Sequence, residues 1–221
     1  MQSTPIRSAS YVGAVLTDVV SPTRSWHSRG YLPHFDSGHV IQHVTFHLWD
    51  SLPAEAIARI DRELHDASPN EAAIERRERI DAWIDAGHGS CVLRDTHAAR
   101  MVQDALLHFD GERYRLFAWV VMPNHVHTLL QTLPGWSLSQ IVSSWKSYTG
   151  RRISRVLRAH GNETATAHVW HREYWDRYVR DEHHFEAVRR YIRDNPVNAG
   201  LVSAPHEWMW SSARHERGAG V

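Results

Sequence analysis

Two apolar runs constrain this chain most: Tyr114–Met122 (YRLFAWVVM) and His125–Gln131 (HVHTLLQ), separated only by Pro123-Asn124. Aromatic and β-branched residues suit a pleated surface, and Pro-Asn is turn chemistry, so the pair predicts an antiparallel hairpin. Val40–Asp50 alternates, with Val44, Phe46 and Leu48 on one face, and predicts a further strand. Helices are expected around these strands. Pro53–Asp66 and Asn70–Ala86 carry Ile57, Ile60 and Leu64, then Ile74, Ile80, Trp83 and Ile84, near helical spacing. Thr96–Phe109 predicts another helix, closed by Asp110-Gly111, and Ser137–Ala159 an amphipathic one with Ile141, Trp145, Tyr148, Ile153 and Val156 near its inner face. A polar loop then leads to a last long helix, Asp181–Asn195, which Pro196 is expected to end because proline has no backbone donor. The pattern is that of one α+β domain.

Residues 1–29 are rich in Ser, Thr and Pro without a sustained period, and read as a flexible N-terminal arm. The domain itself is placed at 30–215, with a tail at 216–221. A length of 221 residues suits this organisation, and 42% hydrophobic with 23% charged residues excludes global disorder. A single cysteine, Cys91, excludes an intrachain disulfide and any multi-thiolate metal site. The apolar stretch Tyr11–Val20 is short and broken by Asp18, too little for a membrane span or a signal peptide. The expectation is a soluble, cytoplasmic protein with no membrane partner.

Charge balances overall, with 25 Lys+Arg against 25 Asp+Glu, but not along the chain. Asp50–Glu112 holds 7 Arg/Lys against 14 Asp/Glu, a net of −7, whereas Trp145–Arg193 holds 11 against 6, a net of +5. A polyanion would meet the second half first. Candidate nucleic-acid contacts are Lys146, Arg151, Arg152, Arg177 and Arg180, with Trp26 and Arg29 in the arm. Trp145 lies on the inner face of its helix and competes as a core residue.

Residues two apart on a strand share a face, so His125 and His127 project together, about 6–7 Å apart at Cα, while Val126 points into packing. Two imidazoles so placed can converge on one cation and leave positions open for a substrate oxygen. On the last helix, Tyr191 and Asn195 lie one turn apart on one face while Phe185, Val188 and Ile192 anchor the helix. The amide oxygen of Asn195 can ligate a hard divalent ion.

These residues carry a resemblance. Met122-Pro123-Asn124-His125-Val126-His127 followed by Thr128-Leu129-Leu130 resembles the HUH motif of single-tyrosine transposases. More narrowly, the chain resembles the REP-associated tyrosine transposases, relatives linked to short palindromic repeats in bacterial chromosomes. Further matching stretches are Arg29–Phe35 (RGYLPHF), Val44-Thr45-Phe46, Ser144-Trp145-Lys146, Tyr174-Trp175-Asp176-Arg177 and Tyr191–Pro196 (YIRDNP). The resemblance implies a ferredoxin-like antiparallel sheet with helices packed on one face, acting on single-stranded or hairpin DNA. It implies a nucleophilic tyrosine four residues before a polar metal ligand, which maps onto Tyr191 and Asn195. Related insertion-sequence transposases have glutamine at the second position, a longer amide than Asn195. Tyr174 and Tyr178 lack an amide at the fourth position.

The implied chemistry is metal-dependent nicking and joining of one DNA strand through a 5′-phosphotyrosine. Mixed His and carbonyl ligation suits Mn²⁺ well and Mg²⁺ acceptably. The alternative is a catalytically idle protein that binds repeat DNA. A third reading, a zinc hydrolase drawing a further ligand from His168, His171, His183 or His184, lacks a glutamate at metalloprotease spacing.

Overall fold

The computed structural model describes residues 26–28, 33–35, 40–66, 68–159 and 168–215. Strand β1 (Trp26–Ser28) pairs antiparallel with β2 (Pro33–Phe35) in a two-stranded sheet. The main sheet is built from β3 (Ile41–His47), β4 (Tyr114–Val121), β5 (His125–Thr132) and β6 (Trp175–Tyr178). Its order is β4-β5-β3-β6, with every neighbour antiparallel. The helices are α1 (Ala54–Glu63), α2 (Pro69–Asp85), α3 (Thr96–His108), α4 (Leu138–Ala159) and α5 (Glu182–Asn198).

The expected hairpin is present. Met122 N–H donates to His125 O at 2.8 Å, closing the turn at Pro123-Asn124. Alternation then divides the side chains between two faces. Val44, Phe46, Leu48, Trp119, Val121, Val126 and Leu130 form one core with Ala99, Val102 and Leu106 of α3 and Ile141 and Trp145 of α4. Ala118, Val120, Met122 and Leu129 face the other way, onto Phe185, Val188 and Ile192 of α5. A third cluster joins Ile60 and Leu64, in and just after α1, to Ile80 and Ile84 of α2 and to Trp175 of β6. Helices α3 and α4 thus cover one face as expected, and α5 lies across the opposite face. A bulge between Leu116 and Ala118 resets the alternation of β4, which is why these two even-numbered residues serve different cores.

Two expectations are corrected. The segment before the last helix, read as polar loop, contains the edge strand β6. Its Trp175 is buried while Arg177 and Tyr178 are exposed, so only one face of a short WDRY run carries the strand signal. Pro196 does not end α5, which continues to Asn198. Both Asn195 and Pro196 are buried, and the chain turns out only at Gly200, where φ is +68°. Proline there forfeits one bond to the preceding turn, and the packing of the last turn outweighs it. Of the expected arm, Trp26–Ser28 is strand β1; residues 1–25, Arg29 and the tail 216–221 lie outside the described residues.

Candidate active site

The face of the sheet beneath α2 and α5 carries the candidate chemistry. On β5, His125 and His127 point to this face, and their ring centroids lie 4.6 Å apart. Both are buried. Asn124 fixes the first ring. Its amide nitrogen donates to Ile84 O (2.9 Å) and His88 O (3.0 Å), which leaves Asn124 Oδ1 to accept from His125 Nδ1 at 2.7 Å. With the proton on Nδ1, His125 Nε2 presents a lone pair. His127 is held similarly, with Nδ1 2.8 Å from Thr45 Oγ1 and 3.3 Å from His43 Nε2.

Both Nε2 atoms face Asp85, the last residue of α2. Asp85 Oδ1 lies 3.2 Å from His125 Nε2 and 3.6 Å from His127 Nε2. From α5, Tyr191 donates its hydroxyl to Asp85 Oδ2 at 2.9 Å and comes within 3.4 Å of His127 Nε2. Asn195 Nδ2 reaches Asp85 Oδ1 at 3.4 Å. The structure therefore brings Tyr191, His125, His127 and Asn195 together and adds Asp85, which sequence reasoning missed. One signal was available. A carboxylate in the last turn of a helix with no basic residue beside it opposes the helix dipole and needs another reason to be there.

Several observations fit a cation here. Asp85, His125 and His127 offer ligand atoms within 4.8 Å of one another. Burial lowers the His125 pKa to about 4, so near neutral pH its Nε2 lone pair faces a carboxylate oxygen, acceptor against acceptor. His125 Nε2 and Asn195 Oδ1 are buried without a hydrogen-bond partner. Burial favours the neutral form of the Asp85 carboxyl, while a proton on the histidine Nε2 atoms, or a cation in their place, would hold it ionised far below the usual carboxylate range. The Tyr191 hydroxyl is pushed well above its ordinary value by burial and by the charges of Asp85 and Asp81.

The other candidates lie apart from this cluster. Tyr174 is buried on the α3–α4 side, while Tyr178 is 38% exposed at the edge strand. Lys146 donates to Arg172 O (2.7 Å) and Glu173 O (3.3 Å), and burial lowers its pKa to about 8. Arg151 and Arg152 are exposed on α4, Arg152 lying 5.1 Å over the Tyr148 ring. Arg177 and Arg180 are exposed near β6. Trp145 is core, donating from Nε1 to the Tyr114 hydroxyl at 3.0 Å.

The sheet and its cluster define an α+β domain with two histidines, a carboxylate, an amide and a tyrosine converging on one point. Residues 93–195, which span the hairpin and α5 through Asn195, match the family model "Transposase IS200 like". It is similar to a Haemophilus influenzae protein named as a candidate REP-associated tyrosine transposase, at 24% identity over 103 residues. That match covers 45% of this chain and 58% of the relative. The fold is also similar to a solved REP-associated tyrosine transposase bound to a REP hairpin. There the TM-score is 0.52 at 19% identity, covering 89% of this chain and 87% of that one. The resemblance to REP-associated tyrosine transposases found in the sequence therefore holds. Among the described residues, no helix is long and apolar enough to cross a membrane.

Proposed function

We propose that the chain is a metal-dependent enzyme that nicks and rejoins single-stranded DNA from palindromic repeats, with Tyr191 as nucleophile. The observation that carries this is the Tyr191 hydroxyl, 2.9 Å from Asp85 Oδ2 and 3.4 Å from His127 Nε2. His125 and His127 through Nε2, Asn195 through Oδ1 and Asp85 would hold Mn²⁺ or Mg²⁺. Such an ion would offset the Asp85 charge and supply electrostatic stabilisation of the charge that develops on the phosphate. The Tyr191 oxygen attacks phosphorus, its proton leaving along the hydrogen bond to Asp85. The bond to the 3′ oxygen breaks, giving a 5′-phosphotyrosine and, once that oxygen takes a proton, a 3′-hydroxyl. Rejoining reverses these steps.

Arg151, Arg152, Arg177 and Arg180, with Trp26 and Arg29 of a DNA-contacting arm at residues 1–29, are proposed as strand contacts for a catalytic domain at 30–215, whereas the ammonium of Lys146 is engaged by Arg172 O and Glu173 O. Repeat hairpin DNA as partner is supported by the REP hairpin held in the similar structure. Such DNA would place the work in the cytoplasm.

The test is incubation of labelled single-stranded repeat DNA with Mn²⁺, followed by peptide mapping of any covalent adduct. The expected adduct is on Tyr191, and Tyr191→Phe should abolish it while the protein stays folded, losing about 1.5–3 kcal/mol with the hydrogen bond to the Asp85 carboxylate. DNA carried on Tyr174 or Tyr178 overturns the assignment. No adduct at all favours an idle repeat-DNA binder.

A further inference from the structure

Beside the catalytic cluster, on the same face of the sheet, runs a column of rings. His47, the register partner of His125, stacks on Trp175 at 4.8 Å and 27° and on His171 at 4.6 Å and 17°. His171 in turn lies beside Trp49, with centroids 5.9 Å apart and planes within 23°. The inner end of the column is closed: His47 and Trp175 are buried. The outer end is open, with Trp49 49% exposed.

Its backbone is nevertheless fixed. Leu48 N–H donates to Asn124 O at 2.8 Å and Trp49 N–H to Val169 O at 3.0 Å, so the exposed indole stands on a rigid base. His171 is also held, its N–H donating to His47 O and its Nδ1 accepting from Glu173 N–H. Lys146 ties down the same segment through Arg172 O and Glu173 O. Next to His171, the Arg172 side chain is 82% exposed, and its one contact with Glu173 is long at 3.8 Å. Burial lowers the pKa of His47 to about 3 and that of His171 below its ordinary value, so both rings are uncharged near pH 7.

We infer that Trp49, backed by His171, is a stacking platform for one unpaired base of a DNA strand whose neighbouring phosphate meets Arg172. The occupant follows from the surface. A flat aromatic face takes any base by its π-face, and the solvent-facing guanidinium of Arg172, one residue on from the His171 ring that backs Trp49, is available for the linking phosphate. A base inside a duplex has both faces covered by its stacked neighbours, so the platform favours unpaired, unstacked nucleotides. Position supports this as well. Two residues of chain keep the Cα of Trp49 within about 7 Å of that of His47, which faces His125 across the register. A base on Trp49 would therefore lie within one or two nucleotides of a phosphate at the histidines. This inference rests on the proposal that the chain acts on single-stranded DNA.

The test is metal-free binding of a labelled single-stranded repeat oligonucleotide in which one base at a time is replaced by an abasic residue. In the wild-type protein one position should lose affinity by roughly five- to hundredfold, the range for a stacked base. Trp49→Ala should show a similar loss on the intact strand and no further loss at that abasic position, while Trp49→Phe keeps most of the affinity. Binding of a fully paired duplex should be unchanged by either variant. The inference is overturned if the wild-type protein tolerates every abasic position, if the two losses add, or if duplex binding falls equally. The Tyr191 adduct assay with Mn²⁺ is read separately. An adduct without the abasic signature removes the platform and leaves the nicking reading; the signature without an adduct leaves the platform on a non-catalytic binder.

Discussion

At the residue scale, Asp85 ties the candidate site together, since one carboxylate touches both histidines, the tyrosine and the amide. Asp85→Asn keeps its shape but removes the charge, and leaves His125 and His127 facing a neutral amide. The expected outcome is Mn²⁺ binding weakened by at least about tenfold in calorimetric titration, the scale of disturbing even a supporting group of a metal site. Unchanged affinity would remove Asp85 from the ligand set. Four of the five site residues were legible because each pair sits within one element, where periods of 2 and 3.6 fix relative placement. Asp85 was not. It is one of 14 acids in the stretch 50–112, and only the packing of α2 against β6 singles it out.

At the element scale, β3 shows how a legible strand can carry illegible consequences. Its alternation gives the apolar face of Val44, Phe46 and Leu48 directly, while the other face holds His43, Thr45 and His47. Nothing local says that Thr45 and His47 would be buried and His43 half-buried; the roof over them is α2, α5 and Trp175. Burial and the nearby His171 lower the His47 pKa from 6.5 to about 3. Between those values the unfolded chain binds a proton that the native state refuses, so native stability is lost as pH falls through that window. One such group contributes about 1.4 kcal/mol per pH unit. His47→Phe keeps a ring in the column and removes the titration. Urea unfolding in EDTA at pH 7 and pH 5 should therefore show a slope shallower by about one proton. An unchanged slope would mean that His47 does not titrate with folding. The missed strand β6 has a related cause, since it is an edge of four residues whose pairing with β3 is supplied from far along the chain.

At the scale of the whole molecule, the two charged halves behave differently once folded. Acids of α1 and α2 are largely answered within that layer, by Arg76 on Asp61 and by Arg79 on Glu63 and Glu75. In the basic half, Arg189 pairs with Glu186 and Arg193 with Asp194, whereas Arg151, Arg152, Arg177 and Arg180 have no carboxylate within ion-pair distance among the described residues. The sequence showed the segregation but not which cations were already engaged, because that depends on carbonyls such as those that hold Lys146. A cation released to a phosphate displaces a counterion, so binding of single-stranded DNA should weaken linearly with the logarithm of salt. Removing one phosphate contact lowers that slope by about one unit. Arg177→Ala, beside His43 in the sheet register, should do so, whereas Lys146→Met should leave the slope unchanged, since its ammonium is committed to two backbone oxygens. Fluorescence anisotropy across a salt series at pH 7 separates the two. Equal flattening by both variants would show that Lys146 leaves its carbonyls to meet the strand, and no flattening by Arg177→Ala would remove the edge of β6 from the DNA path.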